Sequence, residues 1–325
     1  MKNNKHFANI ITKNIDNLML TGILIIISLF VSYLKPGFLS LGTLESIAYQ
    51  LPEIGLLTLA MMVTMIPGGI NLSVIASSNL SGIAMALIMT SIIPKKEDNI
   101  LVVILAITVG MAISLLIGFI NGAIIAVFNI PAILVTLGTQ MLVNGMCLVI
   151  TKGGIISGFP RSFKNVGNGK LLGLPTPIIL FALCIIILVI VLRKTPLGTE
   201  LYLYGSNSTA TIFSGVNDKA LLIKSYTLSG FFAGIAAIIL TSRFNSAAAG
   251  YAESYLMQSI LIAVLGGINP NGGGGKITGL ILSNLIIQVV ASGLNILKVS
   301  SYLTTALYGI ILLVAVFVRS KRLIR

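Results

Sequence analysis

Apolar runs near the length of a bilayer crossing recur along the whole chain, separated by short polar or glycine-containing breaks. A helix needs about 20 predominantly apolar residues to cross the hydrocarbon core. Approximate spans fall at 17–34, 48–67, 72–92, 99–120, 132–150, 174–193, 222–242, 256–267, 278–296 and 302–318. The pattern predicts an all-α, polytopic transmembrane bundle of about ten helices, with residues 1–325 forming one transmembrane domain. The run at 256–267 is too short alone, so it is expected to start earlier or to end in the glycines that follow.

The breaks carry their own information. In "MIPGGINLSV" (Met65 to Val74) two glycines and Asn71 interrupt what would otherwise be one long apolar stretch. The glycines permit a helix to end, and Asn71 with Ser73 can cap the helix that follows. The same letters, Gly-Gly-Ile-Asn, recur at Gly266 to Asn269 after a different run, which reads as shared turn chemistry. The longer stretch "GGINPNGGGGKITG" imitates a nucleotide-binding loop. A Walker A motif needs glycine where Pro270 stands and Ser or Thr where Ile277 follows Lys276, so both positions fail. It reads instead as a turn whose backbone can approach other chain segments closely.

Polar groups inside apolar runs face a bundle interior or a water-filled path, because an unpaired amide in hydrocarbon is costly. In the fifth span Thr136, Gln140 and Asn144 recur every four residues with Thr139 beside them, and so share a face. Gly138 and Gly145 lie on the opposite face and would permit close helix approach. In the ninth span Asn284, Gln288, Ser292 and Asn295 lie within about 80° of the helix circumference. Both stripes fit two roles: interhelical hydrogen bonds that fix the bundle, or the lining of a path for a polar solute. They hold amides and hydroxyls rather than carboxylates, which suits neutral hydroxylated solutes better than cations or protons. Glu53 lies within an apolar run near its outer end, where snorkelling to the interface is expected.

Composition sharpens the class. The chain is 56% hydrophobic and 9% charged, against about 25% charged in soluble domains. The net charge of +13 resides at helix ends and tails. Positive-inside orientation and anionic lipid explain it without nucleic acid. An even number of crossings puts both termini on one side, with 12 of the 21 basic residues: Lys2, Lys5, Lys13, Arg193, Lys194, Lys219, Lys224, Lys276, Arg319, Lys321, Arg322 and Arg325. The dense "RSKRLIR" end favours the cytoplasm, with 1–16 as a cytoplasmic tail. The tail lacks a small-residue cleavage site, so 17–33 reads as a retained helix. Lys95, Lys96, Glu97 and Asp98 then fall outside, as does the loop 151–173 with Lys152, Arg161, Lys164 and Lys170.

Cys147 and Cys184 lie in apolar runs without metal-ligand spacing and read as packing residues. His6 reads as part of a solvated tail. No paired carboxylates, Ser/His/Asp set or His/Cys cluster appears, so no enzyme, metal or cofactor is expected.

The loop 194–221 falls inside. Its "GSNSTATIFSGVND" has a helix-sized core that Ser206 or Asn207 can cap and Gly215 can close in a left-handed turn. Asn217 or Asp218 can cap the next membrane helix. Such a helix either fills space between crossings or docks a cytoplasmic partner.

The segments "GLLTLAMMVTMIPGGINLSV", "NGAIIAVFNIPAILVTLGTQMLVNG", "GSNSTATIFSGVNDKALLIKSYTLSGFFAGIAAIILTSRFNSA" and "LIAVLGGINPNGGGGKITG", in this order, resemble the ribose-type permease family. These are membrane subunits of bacterial carbohydrate ABC importers. The resemblance covers about residue 45 to the C-terminus. It implies ten helices, a second permease copy or paralogue, cytoplasmic ABC ATPase subunits, an extracytoplasmic solute-binding protein and a place in the bacterial plasma membrane. It also implies an ATPase-coupling helix carrying Gly205, Ser206, Asn207, Ala210, Phe213, Gly215 and Asp218. Family members usually read Gly-Gly-Ile-Asp-Leu-Ser at the first turn, where this chain has Asn71, and often carry acids where it has Leu256 and Gln258. The expected function is import of a monosaccharide or similar polar solute. A nucleoside or a furanose-like quorum signal is the alternative, and an ion-coupled secondary transporter a more distant one.

Overall fold

The computed structural model describes residues 2–92 and 98–323. Lys95, Lys96, Glu97 and Arg325 lie outside the described residues, as do the side chains of Lys2, Lys5, His6, Lys13, Arg319, Lys321 and Arg322. The chain is all-α apart from two two-residue ladders. Its helices are α1 (Lys2–Leu34), α2 (Leu41–Met65), α3 (Val74–Ile92), α4 (Ile100–Phe128), α5 (Ala132–Thr151), α6 (Arg161–Asn168), α7 (Thr176–Lys194), α8 (Pro196–Ser206), α9 (Ser208–Phe213), α10 (Asp218–Phe244), α11 (Ser254–Leu265), α12 (Ile277–Ile296) and α13 (Ser301–Leu323). The strands β1 (Ile156–Ser157) and β4 (Ser246–Ala247) pair antiparallel, as do β2 (Lys170–Leu171) and β3 (Leu174–Pro175).

Among the described residues, eight helices are long and apolar enough to cross a membrane: the 17–34 part of α1, then α2, α3, α4, α5, α7, α10 and α12. Two more, α11 and the 302–314 part of α13, are apolar but shorter. With 12 residues, α11 rises about 18 Å, short of the ~30 Å hydrocarbon core. Most predicted ends lie within a few residues of the observed ones, and of the C-terminal ends that of the fourth span departs furthest. α4 runs to Phe128 rather than 120, because Asn121 and Gly122 pack against neighbours and the helix stops only at Asn129 in the left-handed conformation.

The core is built around α2. It is apolar on all faces, the pattern of a helix buried on all sides, and every residue from Leu51 to Met65 is buried. It packs on α10, α7, α11 and α12, while α10 in turn packs most extensively on α4. The α4–α10 crossing depends on small residues. A Cβ on Gly118 or Gly122 would press into the backbone at Tyr226 or Ile223, and one on Gly230 into that of Ser114. This is the close approach that small-xxx-small spacing allows in membranes.

Side-chain contacts group the loops at two opposite ends. At one end Ser162 N donates to Asp98 (3.0 Å), Asn168 Nδ2 to Ser242 O (3.1 Å) and Phe159 N to Asn245 Oδ1 (3.0 Å), while Lys170 pairs with Glu45 at 2.6 Å. That carboxylate holds the Lys170 ammonium above its ordinary pKa. At the other end meet the 66–73 turn, α8, α9 and the loop 266–276.

Candidate functional site

The α2–α3 break is an ordered polar centre. Gly68 takes φ +94° and Gly69 N donates to Thr64 O (2.9 Å), closing α2 with a glycine in the left-handed position. The second Gly-Gly-Ile-Asn closes α11 in the same manner one residue later: Gly267 takes φ +89° and Ile268 N donates to Ala263 O (3.0 Å). Turn chemistry is therefore shared, in a shifted register. Asn71 Oδ1 accepts from Ser73 N (3.1 Å) and Ser73 Oγ (2.7 Å), as expected of a residue capping α3. Its Nδ2 donates to Ser229 Oγ on α10 (3.0 Å), a bond that a carboxylate could not give. Asn121 of α4 extends the network, donating to Ser73 Oγ (2.8 Å) and accepting from Thr139 Oγ1 (2.6 Å). Asn121 is the one amide in α4, so its helix shows no amide stripe; its hydrogen-bond neighbours Ser73 and Thr139 come from the α2–α3 break and α5.

The two polar stripes meet different neighbours. α5 packs on α3 and α4, whereas α12 packs on α1, α2 and α11. Thr136 is buried and donates to Ile70 O (2.9 Å), tying α5 to the α2–α3 break. Gln140 and Asn144 are half-buried and make no side-chain hydrogen bond among the described residues. On α12, Asn284 Nδ2 donates to Leu51 O (3.2 Å), and Gln288 Nε2 to Gln50 Oε1 (2.9 Å) and Ser292 Oγ (3.4 Å). Asn295 is exposed. Gly138 and Gly145, expected to admit a close neighbour, have nothing within 4 Å of a Cβ position among the described residues.

Glu53 does not snorkel. It is 2% exposed and pairs with Arg243 Nη1 at 2.9 Å. Tyr255 Oη donates to its other oxygen (3.3 Å). The partner charge comes from the far end of α10 and compensates the carboxylate at a buried position, with Oε1 held by the ion pair and not by a hydrogen bond. Arg243 Nη1 also donates to Tyr49 O (2.7 Å). Arg243 borders a cavity of about 320 Å³ with Ser46, Tyr49, Gln50 and Asn168, open at the end that carries α6. The cavity and the α12 stripe meet at Gln50.

At the opposite end the 194–221 segment folds as read, with one addition. Asn207, not Ser206, caps α9: its Oδ1 accepts from Ala210 N (2.9 Å). Ser206 Oγ donates back to Tyr202 O (2.8 Å). Gly215 takes φ +86° and closes the turn. Asn217, not Asp218, caps α10 through Ala220 N (3.0 Å). α9 leaves Phe213 88% exposed beside the exposed Ile212. The addition is α8, which the sequence reading left inside a loop; Pro196 in its first turn was the available signal. Tyr202 of α8 donates to Gly275 O (2.9 Å), and burial raises its phenol above the ordinary pKa, so it stays a donor. Burial, aided by the nearby Asp218 carboxylate, also raises Tyr204.

Eight membrane-length helices among the described residues, packed around a buried polar network at a glycine-broken turn, define a multi-pass membrane protein. The family model described as "Branched-chain amino acid transport system / permease component" matches residues 43–316. The chain is 35% identical over 302 residues to the ribose import permease protein RbsC of Bacillus subtilis (strain 168), covering 92% of this chain and 91% of the relative. It is 33% identical over 297 residues to RbsC of Haemophilus influenzae, with 90% of each chain covered. It is 32% identical over 280 residues to the autoinducer 2 import system permease protein LsrD of Photorhabdus temperata, covering 84% of this chain and 81% of the relative. No solved structure matches. The chain belongs to this permease family, and within it is of the ribose type.

Proposed function

We propose that the chain is the permease subunit of an ABC importer for a monosaccharide or similar small hydroxylated solute. The observation that carries this reading is the near full-length similarity to ribose and autoinducer 2 import permeases. A binding protein would deliver the solute at the α6 end, and separate ATPase subunits would dock at the α9 end. The reading takes α11 and α13 as the eighth and tenth crossings in chain order, giving ten with α1–α5, α7, α10 and α12, and both termini in the cytoplasm. Residues 1–325 then act as one transmembrane unit, paired with a second copy or a paralogue in the bacterial plasma membrane. The exposed apolar head of α9, Ile212 and Phe213, supports its role as the coupling helix.

For the solute path, hydrogen bonding separates individual stripe residues. Gln140 and Asn144 keep amides free for a passing hydroxyl, whereas Thr136, Asn284 and Gln288 engage neighbouring helices. Gln140→Leu is therefore expected to reduce ATP-driven sugar uptake by the whole complex while leaving the thermal unfolding midpoint unchanged. Asn284→Leu is expected to cost about 0.5–2 kcal/mol of bundle stability. Normal uptake by Gln140→Leu would remove it from the path. A furanose-type signal remains a second reading, supported by the Photorhabdus relative; ligand binding by the partner binding protein separates the two.

A further inference from the structure

Three segments meet backbone to backbone at the end that carries α9: the turn closing α2, the end of α8 and the glycine loop before α12. Gly273 N donates to Ile66 O (2.9 Å), and Tyr202 Oη donates to Gly275 O (2.9 Å). A Cβ on Gly205 would overlap both Ile66 O and Gly273 N. One on Gly272 would stand 2.8 Å from Gly205 O, and one on Gly273 2.9 Å from Ser206 Cα. Gly272 and Gly273 also take φ +94° and +76°, which exclude most side chains. The atoms nearest the Cβ positions of Gly205 and Gly272 are all backbone; at Gly273 the short Ser206 side chain stands at 2.7 Å, just ahead of the Ser206 backbone.

What lies on either side of this contact gives it a role. One residue beyond α8, Asn207 starts α9 with its exposed Phe213. A few residues beyond Ile66, the Ile70 carbonyl is held by Thr136 of α5 and Asn71 by Ser229 of α10. We propose that Gly205, Gly272 and Gly273 form a rigid backbone linkage that carries displacement of α8 and α9 into the α2–α3 break and from there into α5 and α10. Gly205 is its positioning residue. The proposal rests on the ABC-permease reading and adds to it the route by which the docking end moves the membrane helices. It gives the second Gly-Gly-Ile-Asn a purpose: its loop braces the first.

The test uses the whole complex of permease, ATPase subunits and binding protein in proteoliposomes. The probe is whichever of D-ribose, D-xylose, D-galactose and D-glucose the wild type imports fastest. Gly205→Ala is expected to assemble and to hydrolyse ATP within about twofold of wild type, while sugar imported per ATP falls about tenfold. Tyr202→Phe keeps the ring and loses one bond to the loop, so its imported sugar per ATP is expected to fall about threefold. Gly138→Ala, with open space at its Cβ, is expected to match wild type. An unchanged ratio in Gly205→Ala overturns the linkage. So does loss of uptake and ATP turnover in step with loss of assembled complex, unless Tyr202→Phe assembles fully with a lowered ratio. A wild-type complex that imports no sugar with ATP overturns the permease reading, and this proposal with it. An active wild type with a fully coupled Gly205→Ala overturns the linkage alone.

Discussion

Replacing Arg243 with leucine is expected to destabilise the protein by about 3–5 kcal/mol, because it leaves a buried carboxylate without its partner. The Glu53 side chain is 3% exposed, and Arg243 Nη1 lies 2.9 Å from it. The same guanidinium donates to Tyr49 O at 2.7 Å. That carbonyl lies three residues before Pro52, whose ring nitrogen offers no hydrogen to the α2 ladder. Arg243 thus serves a buried charge and a backbone group near a weakened stretch of helix. Removing both charges is a different case, since no uncompensated ion remains. Glu53→Gln combined with Arg243→Leu is expected to recover most of the loss. Thermal unfolding of the three proteins in one detergent checks this. Equal midpoints for Arg243→Leu and wild type would mean that Glu53 is not held by this pair.

Gly215→Val is expected to lower the solute-stimulated ATP turnover of the assembled transporter about tenfold, while the membrane bundle unfolds at the wild-type temperature. Gly215 sits at φ +86°, where an L side chain costs about 1–2 kcal/mol and a β-branched one is poorly tolerated. The turn after α9 would open, and Phe213, two residues before it, would shift from the exposed place that the proposed docking role requires. No atom lies within 4 Å of a Cβ at Gly215, so crowding is not the cause. Asparagine enters the left-handed region more readily, and Gly215→Asn is expected to stay within about twofold of wild type. If valine couples as well as asparagine, the conformation of this turn does not set the position of α9.

These two sites show what could be read from the sequence. The caps at Asn207 and Asn217 and the turn at Gly215 depend on neighbours within a few residues, so local chemistry marks them. Of the paired options at each cap, sequence left the choice open, and the backbone settles it by placing each asparagine oxygen 2.9–3.0 Å from its amide. The all-α class and most crossings were equally legible, because hydrophobic length is a property of continuous segments. Glu53 was misread for the opposite reason. Its partner stands at the end of α10, and no local pattern links them. Likewise the stripe on α12 was visible, but not that Asn284 spends its amide on Leu51 O. Asn121 gave no stripe at all, although it links Ser73 to Thr139. α8 was passed over because its apolar positions show no helical period strong enough to stand out from a loop.

The most direct measurement of the central reading is sugar uptake into proteoliposomes with this chain present alone, and then with its ATPase subunits and binding protein. Uptake that requires ATP and all the components, from a chain that by itself neither hydrolyses ATP nor imports sugar, is the expected result. ATP hydrolysis by the purified chain, or uptake by the chain alone driven by an ion gradient, would contradict it.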